Sequence, residues 1–164
     1  MGLRMGAERD FKIRRMIGKL NRIIHGSGVV SRFVSLIYGE LEQRGSFSYV
    51  NCGHPPALLL DSTGFHELSD GGLVLGPFAD AEYQLGFERL EPESSLALFS
   101  DGVLERLGRH GEPFGEERVR RWMREGRDQP ADRAVGDLFE RVRDFGQREP
   151  FADDVTMMLI RRLD

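Results

Sequence analysis

The first regular pattern along the chain is a stripe of isoleucine and leucine at helical spacing. Ile13, Ile17, Leu20 and Ile24 recur at intervals that place them on one face of an α-helix. Gly26 follows the last of them and is a typical helix stop. The pattern therefore predicts a helix that ends near residue 26 and packs this face against a core.

Shorter apolar runs follow the helix, and turn signals separate them. Residues 33–41 are apolar on both faces, and the triplet Gln43-Arg44-Gly45 predicts a turn into a second run at residues 46–52. These two runs predict a β-hairpin. Two further strands are predicted over residues 57–60 and 65–68, which flank a Ser-Thr-Gly turn.

The next segment mixes loop and strand signals. The pairs Gly71-Gly72 and Gly76-Pro77 predict a loop. Tyr83, Leu85 and Phe87 then alternate with polar or small residues, which predicts a strand with this apolar trio facing the core.

The second half of the chain predicts a sheet covered by helices. Residues 96–99 are wholly apolar and predict a central buried strand, and residues 155–160 predict another buried strand. Between them lie two amphipathic helices, the first with Val119, Trp122 and Met123 on one side and the second opening at Pro130. The order predicts an α+β fold in which helices flank an antiparallel β-sandwich, with residues 1–164 in a single domain.

Composition narrows the function classes. The formal net charge is -4, which argues against generic binding to nucleic acid. Cys52 is the only cysteine, so no internal disulfide forms, and no apolar run is long enough to cross a membrane. The first ten residues lack the apolar core of a signal peptide. We therefore expect a cytoplasmic protein without a membrane or nucleic-acid partner.

Acidic residues at the ends of two predicted strands carry the clearest chemistry. Asp101 directly follows the strand at 96–99, and Asp153 and Asp154 directly precede the strand at 155–160. Carboxylates fixed at strand ends suit hard cations such as Mg²⁺ and Mn²⁺. Taken singly, each motif also has a plain structural interpretation, with Asp-Gly as a turn and the Asp pair as a solvated loop.

The string Gly53-His54-Pro55-Pro56 is unusual. Proline fixes the backbone, so the string predicts a rigid turn between strands. His54 could serve as a ligand or an acid, but the turn context favours a structural, hydrogen-bonded histidine. Cys52, at the end of the preceding strand, is interpreted as a core residue rather than a nucleophile.

Several strings in the chain, taken in order, resemble the SpoIIE/RsbU-type phosphatase family. The resemblance covers about residues 20–161, and it rests on these strings: Leu20-Asn21-Arg22, Arg32-Phe33-Val34-Ser35-Leu36 with Tyr38-Gly39, Tyr49-Val50-Asn51-Cys52-Gly53-His54-Pro55-Pro56, Leu75-Gly76, Leu98-Phe99-Ser100-Asp101-Gly102-Val103 with Glu105, Phe114-Gly115 and Asp153-Asp154-Val155-Thr156.

The resemblance implies the type 2C-like (PPM) phosphatase fold and metal-dependent hydrolysis of phosphoserine or phosphothreonine on a protein. It implies Mn²⁺ or Mg²⁺ as cofactor, with Asp101 and Asp153 as metal ligands. Asp154 and Gly102 would bind a further metal or orient the ligands, and the Gly53 to Pro56 turn would be structural. The implied partner is a phosphorylated regulatory protein, such as an anti-anti-sigma protein of a partner-switching pathway.

One departure from the family pattern affects the expected activity. The family carries two further aspartate motifs, a Gly-Asp string and an Asp-x-Ser-Gly-x-Gly turn, before the Leu20-Asn21-Arg22 helix. Glu8 and Asp10 precede that helix here but lack the glycine context. We therefore expect an N-terminally truncated domain without some strands and without the bridging aspartate, so that this chain is inactive alone.

Three functions remain open at this point. The chain is a phosphatase, a non-catalytic binding module that keeps the phosphatase fold, or a hydrolase of small molecules or nucleotides built on the same carboxylates. The absence of a phosphate-binding loop in the sequence weakens the third. The sequence leaves the oligomeric state open, a homodimer included.

Overall fold

The computed structural model describes residues 2–27 and 33–163, with side chains from residue 11 onward in those ranges. The elements follow the chain in this order: α1 (Gly2–Gly26), β1 (Leu36–Leu41), β2 (Ser46–Cys52), β3 (Ala57–Leu60), β4 (Phe65–Leu68), β5 (Gly71–Gly72), β6 (Gly86–Arg89), β7 (Ser95–Phe99), α2 (Asp101–Leu104), α3 (Gly115–Glu125), α4 (Ala131–Phe145) and β8 (Met157–Arg161). The chain divides into two compact units, Met1–His54 with Leu68–Arg89 and Pro55–Glu67 with Leu90–Asp164.

The first unit contains a sheet centred on β2. β1 pairs antiparallel with β2 as the predicted hairpin, and Gly45 takes a positive φ of 87° in the turn between them. On the other side, β6 pairs antiparallel with the first half of β2, and β5 pairs parallel with its last two residues. β2 is buried along nearly its whole length because it has neighbours on both edges.

Helix α1 supplies the rest of the first core. Ile13 and Ile17 are almost fully buried and Ile24 is partly buried, as the apolar stripe predicts, whereas Leu20 is 37% exposed. The helix begins at Gly2, well before the stripe, and reaches the predicted end at Gly26. The core that this face joins contains Ile13, Ile17, Val50, Cys52, Leu75 and Tyr83.

The second unit contains a sheet in the order β4-β3-β7-β8. β7 pairs antiparallel with β3 on one side and with β8 on the other, so it is central and buried, as predicted. Helices α3 and α4 cover this core, and the Trp122 indole N–H donates to the Ala134 carbonyl at 2.8 Å. The buried residues include Leu58, Ala97, Phe99, Val103, Val119, Trp122, Met123, Ala134, Leu138 and Val142.

Two strand predictions were wrong in their bounds or burial. The strand predicted from residue 33 begins at Leu36, and only Val34 forms an isolated bridge, to Leu75, before it. The last strand begins at Met157 rather than 155, and it is partly exposed because it lies at the edge of its sheet. An apolar run cannot distinguish an edge strand from a central one, since that depends on its neighbours.

Two predictions for residues 71–89 were also wrong. Gly71–Gly72, predicted as loop, forms the short strand β5. Phe87 is 58% exposed and does not share a core face with Tyr83. The inward residue of β6 is Gly86, because the Tyr49 ring occupies the space where a Cβ would stand, with Cζ only 2.2 Å from that position.

The α+β class and the predominantly antiparallel sheets with helices are confirmed. The exception is the two-residue parallel pairing of β2 with β5. Across residues 2–27 and 33–163, none of the helices combines the length and apolarity needed to cross a bilayer.

Candidate metal centre

Asp101 lies where the central strand β7 gives way to a helix. Ser100 has extended backbone angles, and Asp101 is the first residue of the short helix α2. Its carboxylate Oδ1 accepts a hydrogen bond from the Gly102 N–H at 3.0 Å, and the side chain is exposed. A carboxylate is favourable in the first turn of a helix, where backbone N–H groups lack partners. Helix α2 was not predicted from the sequence.

Asp153 and Asp154 lie in the approach to β8. Asp153 Oδ1 accepts a hydrogen bond from the Asp154 N–H at 2.7 Å, and both side chains are exposed. The bond joins adjacent residues, so it orients the Asp153 carboxylate without closing a turn. The pair lies in the irregular segment that leads into β8.

Ser100 joins the two acidic segments. Its hydroxyl donates to the Asp154 carbonyl at 2.9 Å and accepts from the Thr156 N–H at 3.0 Å. Its own N–H donates to the Thr156 carbonyl at 3.0 Å. The residue before Asp101 is thus bonded directly to the residues that follow Asp153.

Gly102 permits this close approach. A Cβ at Gly102 would stand 2.5 Å from the Asp154 carbonyl oxygen, closer than real Cβ contacts allow. The structure therefore brings the backbones of Asp101-Gly102 and Asp153-Asp154 side by side at one end of the β7–β8 pair.

Asp101, Asp153 and Asp154 together form what we call the acidic corner, and its ligand chemistry fits a hard cation. Asp101, Asp153 and Asp154 offer exposed carboxylate oxygens, and Mg²⁺ typically binds through one or two carboxylates while keeping several waters. Among the described residues, no group of three or more His, Cys, Asp or Glu side chains is gathered so that it could hold a metal ion.

A cavity of about 670 Å³ lies beside the acidic corner. Its lining residues include the polar Glu105 and Asp153 and the apolar Leu107, Pro113 and Phe151, together with Gly102. Arg106 also lines it and is only 8% exposed.

The Gly53-His54-Pro55-Pro56 string follows β2 through a turn closed by the Asn51 side chain. Asn51 Oδ1 accepts from the His54 N–H at 2.8 Å, and Asn51 Nδ2 donates to the His54 carbonyl at 2.9 Å. Gly53 has a positive φ of 67°, and a Cβ there would stand 2.3 Å from Val74 Cγ1. The backbone of the string is therefore structural. That His54 is not a metal ligand stays a prediction.

Asn21 is a structural residue that the hydrophobic pattern missed. It is fully buried in α1, and its amide Nδ2 donates to the Phe78 and Ala79 carbonyls while Oδ1 accepts from the Gly76 N–H. Its position, one helical turn after Ile17, falls on the apolar stripe. A polar residue in such a stripe is a signal for a buried hydrogen-bonded side chain.

The family model for Stage II sporulation protein E (SpoIIE) matches residues 2–163. The chain belongs to the SpoIIE family of PPM-type phosphatases. It is 28% identical over 156 residues to phosphoserine phosphatase RsbU of Bacillus subtilis (strain 168), an alignment that covers 90% of this chain and 44% of RsbU. The chain thus spans less than half the length of this curated relative.

Solved structures with the same fold include two phosphatase domains. The SiaA-PP2C domain of Pseudomonas aeruginosa has a TM-score of 0.78 at 18% identity, over 90% of this chain and 60% of that one. The phosphatase domain of the cell fate determinant SpoIIE from Bacillus subtilis (Mn presoaked) has a TM-score of 0.61 at 18% identity, over 88% and 72%. At these identities the comparison establishes the PP2C-like fold of this SpoIIE-family chain.

Proposed function

We propose that this SpoIIE-family chain carries part of a metal-dependent protein serine/threonine phosphatase centre in which Asp101 and Asp153 are metal ligands. The observation that carries the proposal is the Ser100 hydroxyl, which bonds both to the Asp154 carbonyl and to the Thr156 N–H and so joins the two acidic segments. The likeness to RsbU, a phosphoserine phosphatase, supports the reaction. The Mn-presoaked SpoIIE phosphatase domain supports manganese as the cation, with Mg²⁺ as the alternative.

In this proposal the chain's own residues hold the cations and orient the ligand side chains. Asp101 and Asp153 would each contribute a carboxylate oxygen, and Asp154 would bind a further cation or orient its neighbour. Gly102 keeps the two segments close because it has no side chain. When bound, the divalent cations of such a centre make a coordinated water nucleophilic at neutral pH and neutralise charge on the phosphoryl group.

The proposed substrate is phosphoserine or phosphothreonine on a regulatory protein of a partner-switching pathway. This step rests on the family resemblance, because fold alone does not specify a substrate. The cavity beside Asp153 has room for residues that flank the phosphorylated side chain.

Manganese titration tests the ligand assignment. We expect the 164-residue chain to bind Mn²⁺ weakly, since two carboxylates supply two positions of an octahedral shell. Asp101→Asn and Asp153→Asn should each reduce the affinity further, because each removes an anionic ligand. His54→Gln is the matched control and should leave the affinity unchanged. Equal affinity in wild type and both aspartate variants would contradict the assignment.

Phosphate release from a phosphoserine protein tests the reaction. The 164-residue chain alone should release little phosphate in excess Mn²⁺. A chain extended with the Gly-Asp and Asp-x-Ser-Gly-x-Gly segments that the resemblance implies should be active, and Asp101→Ala or Asp153→Ala should abolish that activity. If the extended chain binds the phosphoprotein without releasing phosphate, the non-catalytic binding module is the better description.

A further inference from the structure

Arg106 carries a buried positive charge just after the helix that begins with Asp101. The residue lies two positions beyond the end of α2 (Asp101–Leu104) and is 8% exposed. A buried guanidinium is unfavourable unless its N–H groups find acceptors in the protein. The acceptors that bind the Arg106 guanidinium therefore indicate its structural role.

Among the described residues, the side-chain hydrogen bonds of Arg106 go to one loop that is distant in sequence. Nη1 donates to the Pro150 carbonyl at 2.8 Å, and Nη2 donates to the Gly146 carbonyl at 3.0 Å and to the Glu149 carbonyl. The guanidinium also lies 4.7 Å from the centre of the Phe151 ring. One planar guanidinium thus contacts the 146–151 loop at four of its residues.

This loop needs support from outside because its backbone is unusual. Gln147 and Arg148 are consecutive non-glycine residues in the left-handed region, with φ of 56° and 60°. Such conformations persist only where the surrounding structure holds them. The bonds from Arg106 go to carbonyls on both sides of this pair, at Gly146 and at Glu149.

The same loop leads directly to the acidic corner. Only Phe151 and Ala152 separate the Pro150 carbonyl from Asp153. Arg106, Gly146, Glu149 and Asp153 all line the cavity of about 670 Å³. Through its backbone Arg106 is tied to the segment that starts at Asp101, and through its side chain it is tied to the segment that ends at Asp153.

We propose that Arg106 is a positioning residue that holds the 146–151 loop and thereby sets the place of Asp153 relative to Asp101. The inference rests on the proposed function, in which both aspartates are metal ligands. A lysine cannot replace this arginine, because one ammonium lacks the planar fork that reaches several carbonyls at once.

The test compares Arg106→Lys with Arg148→Lys by amide hydrogen exchange over residues 147–149, whose amides donate to backbone carbonyls. Arg148 is the matched control, since it lies in the same loop but its side chain is exposed and pairs with Asp144 and Glu140 on α4. Arg106→Lys should speed exchange of that segment by at least about tenfold, the change expected when one charge-assisted hydrogen bond is lost. Arg148→Lys should leave exchange near the wild-type rate.

A second variant guards against a general folding defect. A Cβ at Gly146 would stand 1.8 Å from Arg106 Nε, so Gly146→Ala should displace the guanidinium while the arginine itself remains. It should reproduce the local exchange change of Arg106→Lys, and exchange of β3 and β7 in both variants should stay slow. Wild-type exchange over residues 147–149 in both variants would overturn the proposal.

Manganese titration of the same proteins separates this inference from the proposed function. A weaker affinity in Arg106→Lys and in Asp153→Asn, with Arg148→Lys unchanged, supports both. An effect of Asp153→Asn without one of Arg106→Lys overturns the positioning role and leaves the proposed function standing. If Asp153→Asn has no effect, the proposed function fails, and hydrogen exchange alone decides whether Arg106 holds the loop.

Discussion

Removal of the Ser100 hydroxyl is the most direct perturbation of the acidic corner. Ser100→Ala deletes one oxygen and leaves the strand pairing of β7 with β8 in place. It removes the donor to the Asp154 carbonyl and the acceptor of the Thr156 N–H. The backbone bond from the Ser100 N–H to the Thr156 carbonyl survives, because it does not use the side chain.

The size of the effect follows from these two bonds. A typical intramolecular hydrogen bond contributes about 0.5–1.5 kcal/mol net. Ser100 is half-buried and Asp154 is exposed, so water replaces part of what is lost. We therefore expect Ser100→Ala to lower the free energy of unfolding by about 1–2 kcal/mol. In a chain of this size that corresponds to a fall in Tm of about 2–8 °C.

Urea denaturation measures the change, and the other end of β7 offers a matched control. Ser94 is fully buried, and its hydroxyl has no hydrogen-bond partner in the described structure. Ser94→Ala removes the same atom without breaking a bond, so it should be neutral or slightly stabilising. The m-value should stay at its wild-type value in both variants.

The comparison of the two serine variants tests whether the Ser100 hydroxyl holds the two acidic segments together. If Ser100→Ala and Ser94→Ala shift the midpoint by the same amount, the Ser100 hydroxyl does not tie the segments together. A shift confined to Ser100→Ala should be accompanied by weaker Mn²⁺ binding, because the Asp153 segment would lose its bond to the segment of Asp101.

Three further outcomes can be measured on single variants. Gly102→Ala should lower the free energy of unfolding, measured in urea, by about 1–3 kcal/mol, since the new Cβ would meet the Asp154 carbonyl. Gly136→Ala in α4, where a Cβ meets nothing within 4 Å, should raise it by about 0.5–1 kcal/mol. Equal changes in the two variants would contradict this reasoning. Asn21→Leu should lower the free energy of unfolding by about 2–4 kcal/mol, because three backbone groups of residues 76–79 lose their hydrogen-bond partner. A wild-type urea midpoint would refute this expectation. Cys52 should not react with a thiol reagent at pH 8 until urea unfolds the chain, because burial raises the pKa of the thiol to about 11, and rapid labelling of the native protein would show otherwise.

Local sequence signals were sufficient to predict the limits of the strands that have short turns at their ends. β2, β3 and β4 have the predicted limits, because a glycine, serine or proline lies within two residues of each of their ends. The predictions for residues 71–89 and 155–160 failed for a different reason. Whether Gly71–Gly72 joins β2, and whether β8 gains a neighbour on its second edge, depends on parts of the chain far away in sequence.

The packing at Gly86 shows the same limit at the level of one side chain. Alternation predicts that Tyr83, Leu85 and Phe87 share a face, yet Phe87 is exposed and Gly86 points inward. The Tyr49 ring fills the space over Gly86, and this ring belongs to a different strand, β2. Periodicity along one strand cannot reveal that a neighbouring side chain already occupies the core.

Strand direction connects the two acidic motifs once the pairing of β7 with β8 is known. In an antiparallel pair the carboxyl end of one strand lies beside the amino end of its partner. Asp101 follows β7 and Asp153 precedes β8, so pairing of these strands brings the two motifs to one end of the sheet whatever their separation in the chain. Had both motifs followed their strands, antiparallel pairing would have put them at opposite ends.

Arg106 could not be connected in this way, and the reason is general. Its partners are three main-chain carbonyls, and every residue in the chain has one. No residue type at positions 146–150 therefore marks them as acceptors for a guanidinium. What the sequence does show is an arginine beside a candidate ligand segment, and only the fold reveals that its charge is buried. Asn21 also binds backbone groups, but its place in an apolar stripe marks it, whereas Arg106 stands in no such stripe. The role of Arg106 is therefore found by tracing the hydrogen bonds of its buried charge.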